Sequence, residues 1–121
     1  MLEMINIGIK NATAFRLAGK ITETDLSLVL SDAREKTKRF GKIVIYKEIE
    51  SFEGIEISAL VEEFKYLTEI GLSNLAKVAI VTDKKWVEKI VEIEDKLFKN
   101  FEIQYFSIDD KNSAIEFLKD T

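Results

Sequence analysis

Hydrophobic and polar residues alternate at Ile5, Asn6, Ile7, Gly8 and Ile9, and the alternation resumes at Phe15 and Leu17 after Lys10–Asn11. A period of two puts one set of side chains on one face of a strand, so these runs predict an antiparallel hairpin. Beyond Gly19 the period lengthens. Leu26, Val29, Leu30, Ala33 and Phe40 recur at helical spacing, with Thr22 three residues before Asp25 as an approximate capping box. Lys36, Lys38 and Arg39 crowd the last turn, and Gly41 supplies a left-handed stop.

Ile43 to Tyr46 is an unbroken apolar run, the pattern of a parallel strand covered on both faces. Lys47 to Glu56 reads as a loop. Ile57, Leu60, Val61, Phe64, Leu67 and Ile70 then trace one helical face up to Gly71. Val78 to Val81 reads as a buried strand that breaks at Thr82 and Asp83 into a long helical pattern running from Trp86 to Phe98. Phe101 to Phe106 is rich in aromatic and β-branched residues, and Asp109 or Asp110 can cap a last helix with Ala114, Ile115, Phe117 and Leu118. The order ββαβαβαβα, without repeat or linker, predicts one α/β domain over residues 1–121. A single mixed sheet is expected, an N-terminal antiparallel hairpin followed by parallel strands with right-handed crossovers, flanked by about four helices. Ligands of such sheets favour the carboxyl ends of the strands, here residues 47–56, 82–85 and 107–110.

Composition narrows the function classes. A net charge of -4 with no long basic block argues against sequence-independent nucleic-acid binding, which depends on dense Lys and Arg. With no Cys there is no disulfide, thiolate nucleophile or zinc–thiolate site, and with no His the commonest general base and metal ligand are missing, so any metal needs oxygen ligands. No basic leader with an apolar core opens the chain and no apolar run nears the roughly 20 residues of a spanning helix, so a cytoplasmic location is expected.

No Gly-rich phosphate loop occurs, and no serine lies in a nucleophile motif. Glu92, Glu94 and Asp95 alternate with Lys89, Lys96 and Lys99 as a solvated helix face would. Asp109 and Asp110 suit a helix cap. Asp83, Lys84 and Lys85 stand where an anion could be met, but Asp83 as an N-cap with two exposed lysines behind it explains the same residues without a ligand and is the favoured reading. The expectation is a non-enzymatic protein with no catalytic residue, no metal and no cofactor. What stands in excess is apolar. Trp86, Ile90, Ile93 and Leu97 form one stripe and Val87, Val91 and Phe98 another, with Phe64, Tyr66, Leu67 and Ile70 on the preceding helix. Either a thick core absorbs them, or they serve a partner subunit, an apolar ligand or a membrane surface.

Gly19–Lys20–Ile21–Thr22 before Asp25–Leu26, Phe52–Glu53–Gly54 before Leu60, the run Lys77 to Trp86 with Asp83–Lys84–Lys85–Trp86, and Tyr105–Phe106 before Ala114 resemble the SpoIIAA-like family. That family belongs with the STAS domains, named for sulfate transporters and anti-sigma-factor antagonists. The resemblance implies a fold similar to STAS and to the lipid-binding CRAL-TRIO domain, common dimerisation, and for some members a lipid-carrier role. Anti-sigma-factor antagonists carry a phosphorylatable serine in an Asp-Ser-Ser-Gly-like motif, whereas the matching place here reads Glu53–Gly54–Ile55–Glu56, with Ser58 a few residues late.

The leading expectation is a homodimeric STAS-like domain that binds a lipid or other apolar ligand between the helices expected over 57–70 and 86–98. Leu60, Phe64, Leu67, Trp86, Ile90 and Leu97 would line that pocket, with at most peripheral membrane contact. The alternative is a protein-interaction or regulatory module that recognises a protein partner through the helix over 57–70 and the loop with Glu53 and Glu56. An oxygen-ligated metal hydrolase using Asp83 and Asp109 is a third reading.

Overall fold

The computed structural model describes residues 1–19, 22–50, 75–83 and 102–119. Within them five strands form one mixed sheet in the order of the sequence: β1 (Leu2–Met4), β2 (Ala12–Leu17), β3 (Ile43–Ile49), β4 (Leu75–Thr82) and β5 (Glu102–Ser107). β1 runs antiparallel to β2, with Leu2 opposite Leu17 and Met4 opposite Phe15. The remaining pairs are parallel, with Ala12 beside Val44, Val44 beside Lys77 and Lys77 beside Glu102. The expected sheet, an antiparallel start followed by parallel strands, is therefore present. The described residues include two α-helices, α1 (Glu23–Phe40) and α2 (Lys111–Lys119), the latter entered through a 3-10 turn at Ile108–Asp110. The further helices expected over 57–70 and 86–98 lie outside the described residues.

The first expected strand needs correction. Pairing occupies Leu2–Met4, and Ile5, Ile7 and Ile9 belong to the connection to β2. Asn6 causes the change. Its carboxamide oxygen accepts from the Gly8 N–H at 2.8 Å, and Gly8 takes φ 81°, so the backbone turns out of register with β2. The alternation still has meaning, because Ile5, Ile7 and Ile9 are half-buried against the sheet while Asn6 and Gly8 face solvent. The strand after α1 is also longer than its apolar run. Lys47, Glu48 and Ile49, expected in a loop, continue β3, and all seven residues of that strand are buried.

Two layers cover the sheet. Phe15, Leu17, Ile43, Ile45, Val78 and Ile80 point to one face, where Val29 and Ala33 of α1 pack on them. Ala14, Val44, Tyr46, Ala79 and Val81 point to the other, under Ala114 and Leu118 of α2. A two-residue period that is apolar in both phases is what sandwiching by helices demands. The start of α1 is fixed locally by the expected capping box: Asp25 N–H donates to Thr22 Oγ1 at 3.2 Å and Thr22 N–H donates to Asp25 Oδ2 at 3.0 Å. Gly41, at φ 80°, ends it by donating its N–H to the Thr37 carbonyl at 2.9 Å. Phe40, expected on the apolar face, instead lies 42% exposed at the last turn, its ring near the Arg39 guanidinium.

Candidate functional site

At the carboxyl ends of β2 and β3, on the face covered by α2, a carboxylate is buried among donors. β2 and β3 place Arg16 directly beside Glu48, and the period of two puts Tyr46 on the same face. The Glu48 side chain is 1% exposed. Arg16 Nε donates to its Oε2, while Lys111 Nζ, from the first residue of α2, lies 2.8 Å from Oε1 and Tyr46 Oη donates to the same oxygen at 3.1 Å. Arg16 also reaches Glu50 Oε1 at 3.3 Å and Glu3 Oε2 at 3.5 Å. One guanidinium thus ties β1, β2 and the end of β3 together, and Lys111 ties α2 to the central strand.

The electrostatics follow from this geometry. Burial pushes the Glu48 carboxyl up, but the hydrogen bonds from Lys111, Arg16 and Tyr46, together with the charge of Arg16, outweigh it and hold the group below the usual glutamate range. The Arg16 guanidinium is shifted up by its hydrogen bond to Glu48 and by that carboxylate's charge. Burial, then the negative charge of Glu48 and the hydrogen bond to it, raises the Tyr46 phenol. The carboxylate is therefore ionised at neutral pH with its donors in place. It acts as a clamp, since a general base must be able to take up a proton near its working pH.

The other carboxyl ends carry the acids singled out in the sequence. Asp83 is exposed just after β4. Asp109 donates its N–H to Ser107 Oγ at 3.3 Å, so Ser107 caps the 3-10 turn, and Asp110 Oδ1 accepts from Ser113 Oγ at 2.7 Å, joining that turn to α2. Among the described residues no three acidic side chains come together as a metal would require. The six expected pocket residues, Leu60, Phe64, Leu67, Trp86, Ile90 and Leu97, lie outside the described residues, as do Glu53, Glu56, Ser58, Lys84, Lys85, Glu92, Glu94 and Asp95. Sequence reasoning missed the Arg16–Glu48–Lys111 cluster. The available signal was the charged pair Lys47–Glu48 followed by Ile49, which continues the strand.

Two open grooves mark the described surface. One, of about 440 Å³, runs along α1 and is lined by Ser27, Leu30, Ser31, Arg34, Glu35 and Lys38. The other, of about 480 Å³, follows the β1–β2 connection past Ile5, Ile7, Gly8 and Lys36. No helix among the described residues is long and apolar enough to cross a membrane.

Comparison with known proteins places the chain in a family. Residues 12–119 fit the family model described as SpoIIAA-like, which spans every element from β2 to α2. No curated protein and no solved structure matches the chain.

Proposed function

We propose, from the premise that this chain belongs to the SpoIIAA-like family, that it is a non-enzymatic regulatory module whose ligand is another protein. The observation that carries this reading is the extent of the family match, which takes in every described parallel strand and the two described helices that cover them. The polar groups at the strand ends support it. Glu48 is enclosed by Arg16, Lys111 and Tyr46, and Asp110 and Ser107 are engaged in starting α2. Those bonds stiffen a framework, and a rigid framework with its chemistry turned inward suits recognition through an outer surface. The reading takes the module as cytoplasmic and homodimeric.

Affinity capture of the full chain under native conditions, with crosslinking and mass spectrometry of what is retained, tests the proposal. A protein held in fixed stoichiometry, at a defined set of crosslinked positions, is the expected result. Recovery of a stoichiometric lipid with no protein would overturn it, as would turnover of an ester or phosphoester by the purified chain. For the dimer, scattering should give twice 13.9 kDa at micromolar concentration, and a mass of 13.9 kDa would refute that part.

A further inference from the structure

Each groove is lined by two cations, Lys10 and Lys36 beside the β1–β2 connection and Arg34 and Lys38 along α1, and the two sets differ in how they are placed. Beside the β1–β2 connection, Lys36 Nζ is engaged by the Ala12 carbonyl at 2.6 Å and by Asp32 Oδ2 at 2.9 Å. Along α1, Arg34 and Lys38 are exposed and stand together on one helix flank, and among the described residues no ion pair or side-chain hydrogen bond engages either. Glu35 lines the same groove and bridges neither. Elsewhere Arg16, Lys111 and Lys119 each meet a carboxylate. Lys38 has a local explanation, since a cation in the last turn complements the carbonyl end of the helix. Arg34 lies outside that turn, where the effect has faded.

Four residues apart on a helix, Arg34 and Lys38 sit one above the other with Cβ atoms about 6 Å apart. Ser31 shares their flank and Leu30, packed on the core, supplies an apolar edge. The protein as a whole carries a charge of -4, so an acidic partner is repelled by most of the surface and attracted where unpaired cations stand together. A volume near 440 Å³ accommodates a few side chains rather than a domain face. We propose that the α1 groove docks a carboxylate-bearing helical segment of a partner protein, one acidic side chain on Arg34, a second one turn away on Lys38, and an apolar side chain against Leu30. The inference rests on the reading of the chain as a protein-binding module and names the chemistry of the segment it binds.

The probe is a labelled synthetic helix with glutamates four residues apart and a leucine between them on the same face, its binding to the full chain followed by fluorescence anisotropy. A peptide of equal composition with the glutamates scattered around the helix is the comparison. The ordered peptide should bind saturably, and more weakly as salt shortens the screening length below about 10 Å. Reversing both charges, Arg34→Glu with Lys38→Glu, should weaken binding about tenfold, while Lys10→Glu with Lys42→Glu, the same change in net charge at exposed lysines off this groove, should leave it within about twofold. All four positions are exposed, so unchanged thermal melts keep the comparison fair. Equal weakening in both double variants, equal binding of the two peptides, or displacement by inorganic phosphate as readily as by peptide would overturn the assignment. If the peptide fails while native capture still retains a protein, the docking surface is wrong and the regulatory reading stands; if capture fails too, both fall.

Discussion

Replacing Glu48 by Gln tests whether the buried clamp holds the fold together. The amide retains one oxygen acceptor, and its NH2 group turns a donor toward a cation that already needs an acceptor. Two charge-assisted contacts, from Arg16 and Lys111, are lost or weakened, and such bonds contribute about 1.5–3 kcal/mol each where desolvated. Arg16 and Lys111 are 31% and 41% exposed, so water recovers part of what they lose. The expected net cost is therefore about 2–3 kcal/mol, below the sum of two buried bonds. In urea the unfolding midpoint of Glu48→Gln should fall by roughly 1–2 M with the slope unchanged. Adding Lys111→Met separates the contacts: if Lys111 acts through Glu48, the double variant should be less destabilised than the sum of the single changes by about 1 kcal/mol. A Glu48→Gln midpoint within about 0.3 M of the native chain at equal slope would refute the clamp.

Acid should expose the same group by titration. The folded carboxyl lies below its unfolded value of 4.5, so its contribution is fully present above pH 4.5 and is lost as pH falls through the lowered folded value. The stability gap between the native chain and Glu48→Gln, measured by urea unfolding at about pH 7 and again at about pH 3, should accordingly narrow in acid. A gap that widens would contradict the assigned direction. Thr22→Ala removes one half of the capping box and should cost about 1 kcal/mol, read as a lower thermal midpoint. It should also return the Asp25 carboxyl, now lowered chiefly by the Thr22 backbone N–H and further by its hydroxyl, part of the way to its usual value, seen as a carbon chemical-shift titration. Ile45→Ala, at a fully buried position in the centre of the sheet, should cost about 2–5 kcal/mol, and a loss under 1 kcal/mol would mean the α1-side core is looser than described.

Features written in neighbouring residues were legible in the sequence. The box of Thr22 and Asp25 and the stop at Gly41 involve contacts within one helical turn, and the apolar runs at Ile43 and Val78 report helices on both faces of the sheet. At the first strand the apolar alternation was real but its meaning was not fixed. Ile5, Ile7 and Ile9 pack inward through a turning connection, and the side chain of Asn6, whose bond to Gly8 decides this, was the cue. Glu48 shows the opposite limit. A charged residue after an apolar run reads as the beginning of a loop, because burying it requires partners, and its partners stand at Arg16 and Lys111, on other elements far along the chain. Pairing at that distance leaves no periodic trace. The groove along α1 escaped notice for a related reason: a lysine or arginine on a polar helix face looks the same in sequence whether or not a carboxylate answers it.

The strand order carries a consequence for how the chain is made. Since β2, β3, β4 and β5 lie side by side in the order of synthesis, each new strand has its neighbour already waiting, and the sheet can grow from one edge as the polypeptide leaves the ribosome. Every parallel addition still waits for a long crossover, from Ala12 to Val44, from Val44 to Lys77 and from Lys77 to Glu102, so assembly should advance in steps rather than continuously. Lys111 enters after all five strands and reaches back over two younger ones to a carboxylate committed much earlier. Until it arrives, Arg16 is the only cation on Glu48 among the described residues, and the half-built sheet holds an open acidic position that α2 closes.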